Sequence, residues 1–289
     1  MSEKEKLTNK EREPMNIQYK VIRPGGNDTA LVIGIQDDPG KRKIINDQIM
    51  KDNLNVEQVG FINLDPDNTE LMMAGGEFCG NATRSTAWLS LNGQPGQIKI
   101  KVSGVSEILQ AGVKDNGEAW AQMPIYSDPD RISIDDEGNA IVEMDGITQV
   151  VMNNPFESVD EEEVKAFAYK KLSEMGLLNS VPAAGVMLVS SENGVLRIDP
   201  VVWVRDIQTL FYESACGSGT TAVGLVQALL NNKPISQKII QPSGMSIEVF
   251  IDFDGRQFNY AEISGPVEEV IIGVNVEFEE VSNQLGFRS

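Results

Sequence analysis

Two short apolar stretches of strand character, Thr69–Met73 and Ile207–Tyr212, each lead within a few residues into a run with helical spacing. The second run, from Gly219 to Asn232, carries Ala222, Val223, Leu225, Val226, Ala228, Leu229 and Leu230. It is apolar on nearly every face, which predicts a helix buried all round rather than laid on a surface. Asn231-Asn232 with Pro234 beyond closes this helix, and Asn92-Gly93 closes the first. Turn sequences at Asp115-Asn116-Gly117 and Asp254-Gly255 predict β-hairpins. The acidic run from Asp160 to Glu163 suits the first turn of a further helix, where negative charge complements the helix dipole.

The two runs are copies of one pattern. GGEFCGNATRSTAWL (Gly75–Leu89) and FYESACGSGTTAVGL (Phe211–Leu225) share Cys-Gly-(Asn/Ser)-(Ala/Gly)-Thr, and Ser103-Gly104-x-Ser106 recurs as Ser243-Gly244-x-Ser246. Both repeats are offset by a little under half the chain, which predicts two homologous, β-rich α/β halves, each wrapped about one central helix. The charged, turn-rich Ser127-Asp128-Pro129-Asp130 is the expected link. The expected organisation is a solvated tail (1–14), an N-terminal domain (15–128) and a C-terminal domain (129–275), with 276–289 returning to the first.

Composition narrows the chemistry. The 289 residues hold 24 Lys+Arg against 43 Asp+Glu, a net charge of -19. That balance opposes phosphate backbones and anionic membranes, so no nucleic-acid or membrane partner is expected. The first fourteen residues have no apolar core of a secretory signal, and a cytoplasmic protein is expected. The chain contains no histidine and only two cysteines, Cys79 and Cys216. Ser-His and Cys-His pairs, histidine metal sites, four-cysteine zinc sites and disulfide-dense scaffolds are thereby excluded. The commonest fate of a free cysteine is burial in a core, but the repeat puts both at the same strand-to-helix turn.

A thiol at a helix start meets unpaired backbone amides and the positive end of the dipole, which favours thiolate. The amides of Gly80, Asn81, Gly217 and Ser218 could cradle a carboxylate. A carboxylate held between two such ends, with sulfur on either side of its α-carbon, is what inversion through a carbanion requires: one thiolate takes a proton and the opposite thiol returns one. Gly217-Ser218-Gly219-x-x-Ala222 also satisfies a minimal dinucleotide fingerprint. The acidic residue expected about 20 positions later is missing, which weakens that alternative.

These motifs, with Gly26-Asn27-Asp28, resemble the diaminopimelate epimerase family of cofactor-independent amino-acid racemases and epimerases over essentially the whole chain after Met15. The resemblance implies two pseudo-symmetric domains, each a mixed β-barrel around a central helix, with the site in the cleft between them. It implies Cys79 and Cys216 as catalytic residues, Gly80, Asn81, Gly217 and Ser218 on the substrate carboxylate with Asn27 nearby, no cofactor, and a homodimer. The distal ligands of the epimerases are replaced here: Met72 and Ala183 stand for Asn, Asp206-Ile207-Gln208 for a Glu-Arg pair, and Asn154-Pro155-Phe156 for Asn-Pro-His. Glu57-Gln58-Val59-Gly60-Phe61 and Glu213-x-x-Cys216 are similar instead to the histidine racemases of staphylopine-type metallophore pathways. Glu57 and Glu213 would then suit an imidazole N–H or an ammonium, with Asn154 also at the substrate. The activity implied is interconversion of L- and D-histidine. A racemase or epimerase of another amino acid and a non-catalytic amino-acid-binding protein remain the alternatives.

Overall fold

The computed structural model describes residues 15–278. Its first half runs β1 (Met15–Pro24), β2 (Asp28–Ile33), α1 (Pro39–Asp52), β3 (Val56–Asn63), β4 (Glu70–Met73), α2 (Gly80–Ser90), β5 (Gly96–Val102), β6 (Ile108–Val113) and β7 (Ala119–Gln122). A 3-10 turn at Pro129–Arg131 follows. The second half runs β8 (Ile132–Ile134), β9 (Ala140–Met144), β10 (Ile147–Asn153), α3 (Glu161–Glu174), α4 (Leu177–Ser180), β11 (Ala183–Glu192), β12 (Val195–Val204) and β13 (Thr209–Tyr212). It continues through α5 (Gly217–Asn231), β14 (Ile235–Ile240), β15 (Ser246–Phe253), β16 (Phe258–Gly265) and β17 (Val267–Phe278).

The duplication extends to strand pairing. β2 lies parallel to β3, β3 antiparallel to β4, β4 parallel to β5, and β5–β6–β7 form a meander. In the second half β10 lies parallel to β11, β11 antiparallel to β12, β12 parallel to β14, and β14–β15–β16 repeat the meander. The extra strand β13 borders β12. Two antiparallel seams join the halves into one mixed α+β sheet system: β7 on β16, and the returning β17 on β1. The N-terminal tail and residues 279–289 lie outside the described residues. No helix among the described residues is long and apolar enough to cross a membrane.

The expected central helices are α2 and α5. From Gly80 to Ala87 every residue of α2 is buried, as is every residue of α5 from Gly217 to Val226. α2 packs on β1–β7, and α5 on β9–β12 and β14–β16. Buried hydroxyls inside such helices need partners. Thr83 and Thr220 each return a hydrogen bond to the carbonyl four residues back, that of Cys79 (2.7 Å) and Cys216 (2.6 Å). This explains the threonine at the fourth position after each cysteine. Asn92 and Asn232 turn the chain out of the two helices in the left-handed region, and Gly117 and Gly255 turn the two predicted hairpins. Asp160 caps α3 through the amide of Glu163, as the acidic run suggested.

Candidate active site

Cys79 and Cys216 are the N-cap residues of α2 and α5, both in extended backbone. Sulfur is a weak acceptor, and an N-cap position normally takes Ser, Thr, Asp or Asn. Here Cys79 Sγ accepts from the Ala82 amide at 3.4 Å, and Cys216 Sγ from the Gly219 amide at 3.3 Å. The two helix starts approach each other across the molecular pseudo-symmetry. Asn81 Nδ2 donates to the Ala215 carbonyl at 2.8 Å, and a methyl group placed on Gly80 or Gly217 would lie 2.9 or 2.6 Å from the same atom, Ile263 Cδ1. Glycine at both first helical positions therefore permits the approach.

Between the helix starts lies an enclosed cavity of about 40 Å³. Ligand pockets usually offer several hundred Å³, so this is a closed form whose walls must separate to admit a substrate. Cys79, Cys216, Gly80, Asn81, Gly217, Ser218, Glu57 and Glu213 all line it. The side chain of Asn81 is spent on Ala215, and Ser218 Oγ accepts from Gln149 Nε2 at 2.9 Å. The backbone amides at the first two positions of each helix have no intrahelical acceptor, which leaves them able to donate to an anion. Ala183 and Ile207 contribute apolar wall with Met50, Val202, Val204 and Phe211.

Two of the expected binding residues are elsewhere. Asn27 is buried behind Glu57, donating to its carboxylate at 2.6 Å and accepting from Thr29 Oγ1, so its polar atoms are used before they reach the cavity. Asn154 caps the turn after β10: its Oδ1 takes the Phe156 amide and its Nδ2 donates to Asp199. Phe156 packs edge-on against Phe167 rather than lining the cavity. Met72 also lies outside the lining.

Sequence reasoning passed over Gln58. Its Oε1 accepts from Cys79 Sγ at 2.9 Å, and its Nε2 donates to Glu213 Oε1 at 2.7 Å. Glu213 lies close enough to Cys216 for the two to shift each other's pKa, while the Cys216 sulfur itself contacts Ser218 Oγ at 3.5 Å. Gln58 thus bridges Cys79 to the carboxyl of Glu213, which lies on the Cys216 side of the cavity. Glu57 is held by the Ser214 amide at 3.0 Å and by the Ser214 hydroxyl.

The expectation of acidic thiols is overturned in this closed form. Burial pushes Cys79 well above the ordinary thiol range despite the Ala82 amide, and Glu213 and Glu77 add to the rise. Burial, then Glu213, does the same to Cys216. Removal from water outweighs one helix dipole. Burial likewise lifts Glu57 to about 8, against the pull of the Ser214 hydroxyl. Glu77 and Glu213 rise to about 7, again through burial.

A stability prediction follows from these carboxyls. Each binds its proton more tightly folded than unfolded, so each contributes stability below its ordinary pKa near 4.5 and loses it as pH rises through 7 to 8. The thermal midpoint of the ligand-free protein is expected to fall between pH 5 and 8, and Glu213→Gln to flatten that fall. Calorimetry across the range checks this; a midpoint that climbs throughout it would contradict the assignment.

A family model described as "Histidine racemase CntK N-terminal domain" matches residues 16–275. A histidine racemase of Fusobacterium nucleatum subsp. nucleatum (strain ATCC 23726) is 33% identical over 89% of this chain and 96% of its own length. A second, from strain ATCC 25586 of that subspecies, is 30% identical over 91% and 97%. Among solved structures, a hydroxyproline epimerase from Agrobacterium vitis with bound trans-4-hydroxy-L-proline shares the fold, with TM-score 0.61, 13% identity and coverage of 92% and 93%. A duplicated fold that closes two cysteine-capped helices on one cavity, matched over nearly its whole length by these sequences, is that of an amino-acid racemase, and the chain belongs to the histidine racemase family.

Proposed function

We propose that this protein interconverts L- and D-histidine by a two-base 1,1-proton transfer between Cys79 and Cys216, without pyridoxal phosphate or metal, on a diaminopimelate epimerase-like scaffold. The observation that carries the proposal is the pair of sulfurs at equivalent helix starts on one enclosed cavity. The substrate carboxylate sits on the amides of Gly80, Asn81, Gly217 and Ser218, which fixes the α-carbon between the sulfurs. One thiolate removes the α-proton and the opposite thiol delivers one to the other face. Each turnover leaves the protonation of the pair exchanged. The closed walls keep water from the carbanion.

Substrate choice follows from the rest of the lining. Glu57, Glu77 and Glu213 border the cavity, and among the described residues no Lys or Arg does. A second carboxylate, as in diaminopimelate, would enter unpaired beside the buried Glu77 and Glu213 and the half-buried Glu57. The imidazole of histidine instead offers an N–H to a glutamate and flat faces to Val202, Val204, Ile207 and Phe211. Among the described residues no lysine lines the cavity to carry a Schiff base.

Proton NMR of L-histidine in heavy water with reduced enzyme, beside diaminopimelate, arginine and lysine, tests the proposal. Loss of the histidine α-proton signal together with D-histidine on a chiral column is expected. Exchange of another panel member alone would move the substrate assignment, and saturable binding without exchange would favour a binding protein.

Gln58→Leu removes the acceptor of the Cys79 thiol and the donor to Glu213 while leaving both thiols in place. Hydrogen bonds to charged or reacting groups contribute about 1.5–3 kcal/mol, so kcat is expected to drop about 10- to 100-fold. Initial rates in both directions on a chiral column measure this; an unchanged kcat would remove Gln58 from the mechanism.

A further inference from the structure

Arg84 is the bulkiest of the wholly buried side chains, and it lies one turn into α2, directly behind Asn81. Its Nε and Nη2 donate to Asn81 Oδ1 at 3.3 and 3.1 Å, and its Nη1 has no hydrogen-bond partner. Among the described residues no carboxylate forms an ion pair with it; Glu118 acts on it only through space. Burial draws its pKa down to about 10, so the guanidinium stays charged at neutral pH.

The fold makes room for this cation. The guanidinium occupies a slot between Gly25, just past the end of β1, and Gly265, at the end of β16, where a methyl group on either glycine would lie 3.0 Å from a terminal nitrogen. An unpaired buried charge is among the most unfavourable things a core can hold, and it persists where function uses it. Two observations tie it to the reaction centre. Arg84 holds the Asn81 amide group whose other end bonds the Ala215 carbonyl, so it braces both helix starts at once. It is also carried by the helix that Cys79 caps, and negative charge at Cys79 raises its pKa.

We propose that Arg84 is a positioning residue that supplies the fixed counter-charge of the reaction centre, offsetting the anions it must hold, the Cys79 thiolate above all. Arg84 does not line the cavity and touches no substrate; it acts through Asn81 and through its charge. This inference rests on the two-thiol reading and answers a question that reading leaves open: what opposes the burial that holds Cys79 as a thiol. Two helix starts supply partial charges, and Arg84 adds a whole one.

The test reads thiolate content without needing turnover. Full-length protein is alkylated with iodoacetamide at a series of pH values, and modification of Cys79 and Cys216 is followed separately by mass spectrometry in wild type, Arg84→Met and Arg84→Lys. At fixed pH the rate at Cys79 is expected to fall at least tenfold in Arg84→Met, more than at Cys216, and to stay within about threefold of wild type in Arg84→Lys, which keeps the charge. The thermal midpoint of Arg84→Met is expected to be no lower than that of wild type, since an unpaired charge has been removed. A Cys79 rate in Arg84→Met within twofold of wild type overturns the proposal. Equal loss in the Lys and Met variants, or failure of Arg84→Met to fold, also overturns it, because the role would then be one of shape. Loss of the two-thiol reading has a different signature: undiminished racemisation by Cys79→Ser, whatever the alkylation rates show.

Discussion

Cys79→Ser and Cys216→Ser are each expected to lower kcat/KM for histidine racemisation roughly 10³-fold, within the 10²- to 10⁴-fold range of a single general acid or base. A serine hydroxyl can occupy the N-cap better than sulfur, so neither variant should unfold the protein. It cannot act as the base at neutral pH, because a hydroxyl is far less acidic than a thiol and the chain has no histidine to activate it. The two variants should differ in one informative way. Each keeps one sulfur on one side of the α-carbon, so each can still exchange the α-proton of a single enantiomer slowly with solvent, returning it to the same face. Deuterium uptake from heavy water should therefore select opposite enantiomers in the two variants. Full racemisation by either one would exclude the two-base mechanism, and uptake into the same enantiomer in both would show that the sulfurs do not flank the substrate.

How far the sequence could be read depended on whether the information was local. The strand-turn-helix units around both cysteines were legible because each carries its own punctuation: an apolar strand, a Cys-Gly turn, a helix apolar all round, and Asn at the exit. Internal repetition doubled that signal, and the matching strand senses of the two halves follow from it. The placement of Asn27 and Asn154 was not legible, since an asparagine that binds a ligand and one that caps a turn look alike in sequence, and only tertiary structure spends their polar atoms elsewhere. Gln58 sits 155 residues from its partner Glu213, beyond any spacing rule. The thiol acidity was misjudged for a related reason: a helix start is written in the motif, whereas the closing of the other half over it is not.

That closure gives Glu213 a task, and Glu213→Gln is expected to lower kcat/KM roughly 10²- to 10³-fold. Glu213 stands close enough to Cys216 for each to shift the other's pKa, and burial lifts its own to about 7, so above that pH it is a carboxylate able to take the thiol proton, and below it the site is already filled. Wild-type kcat/KM should rise through about pH 7 on this account, and the variant, which cannot ionise there, should lack that limb. An opposing effect exists, because the Glu213 charge also raises the Cys216 pKa, and removing it favours thiolate. Burial is the larger cause of the rise and remains after substitution, so loss of the proton acceptor should dominate. Alkylation of Cys216 separates the two effects. It should slow in Glu213→Gln if the carboxylate draws off the proton, and quicken if Glu213 acts only as a repelling charge. A quickened Cys216 with unchanged kcat/KM would reduce Glu213 to a ligand for the imidazole and leave Cys216 to find its base in water.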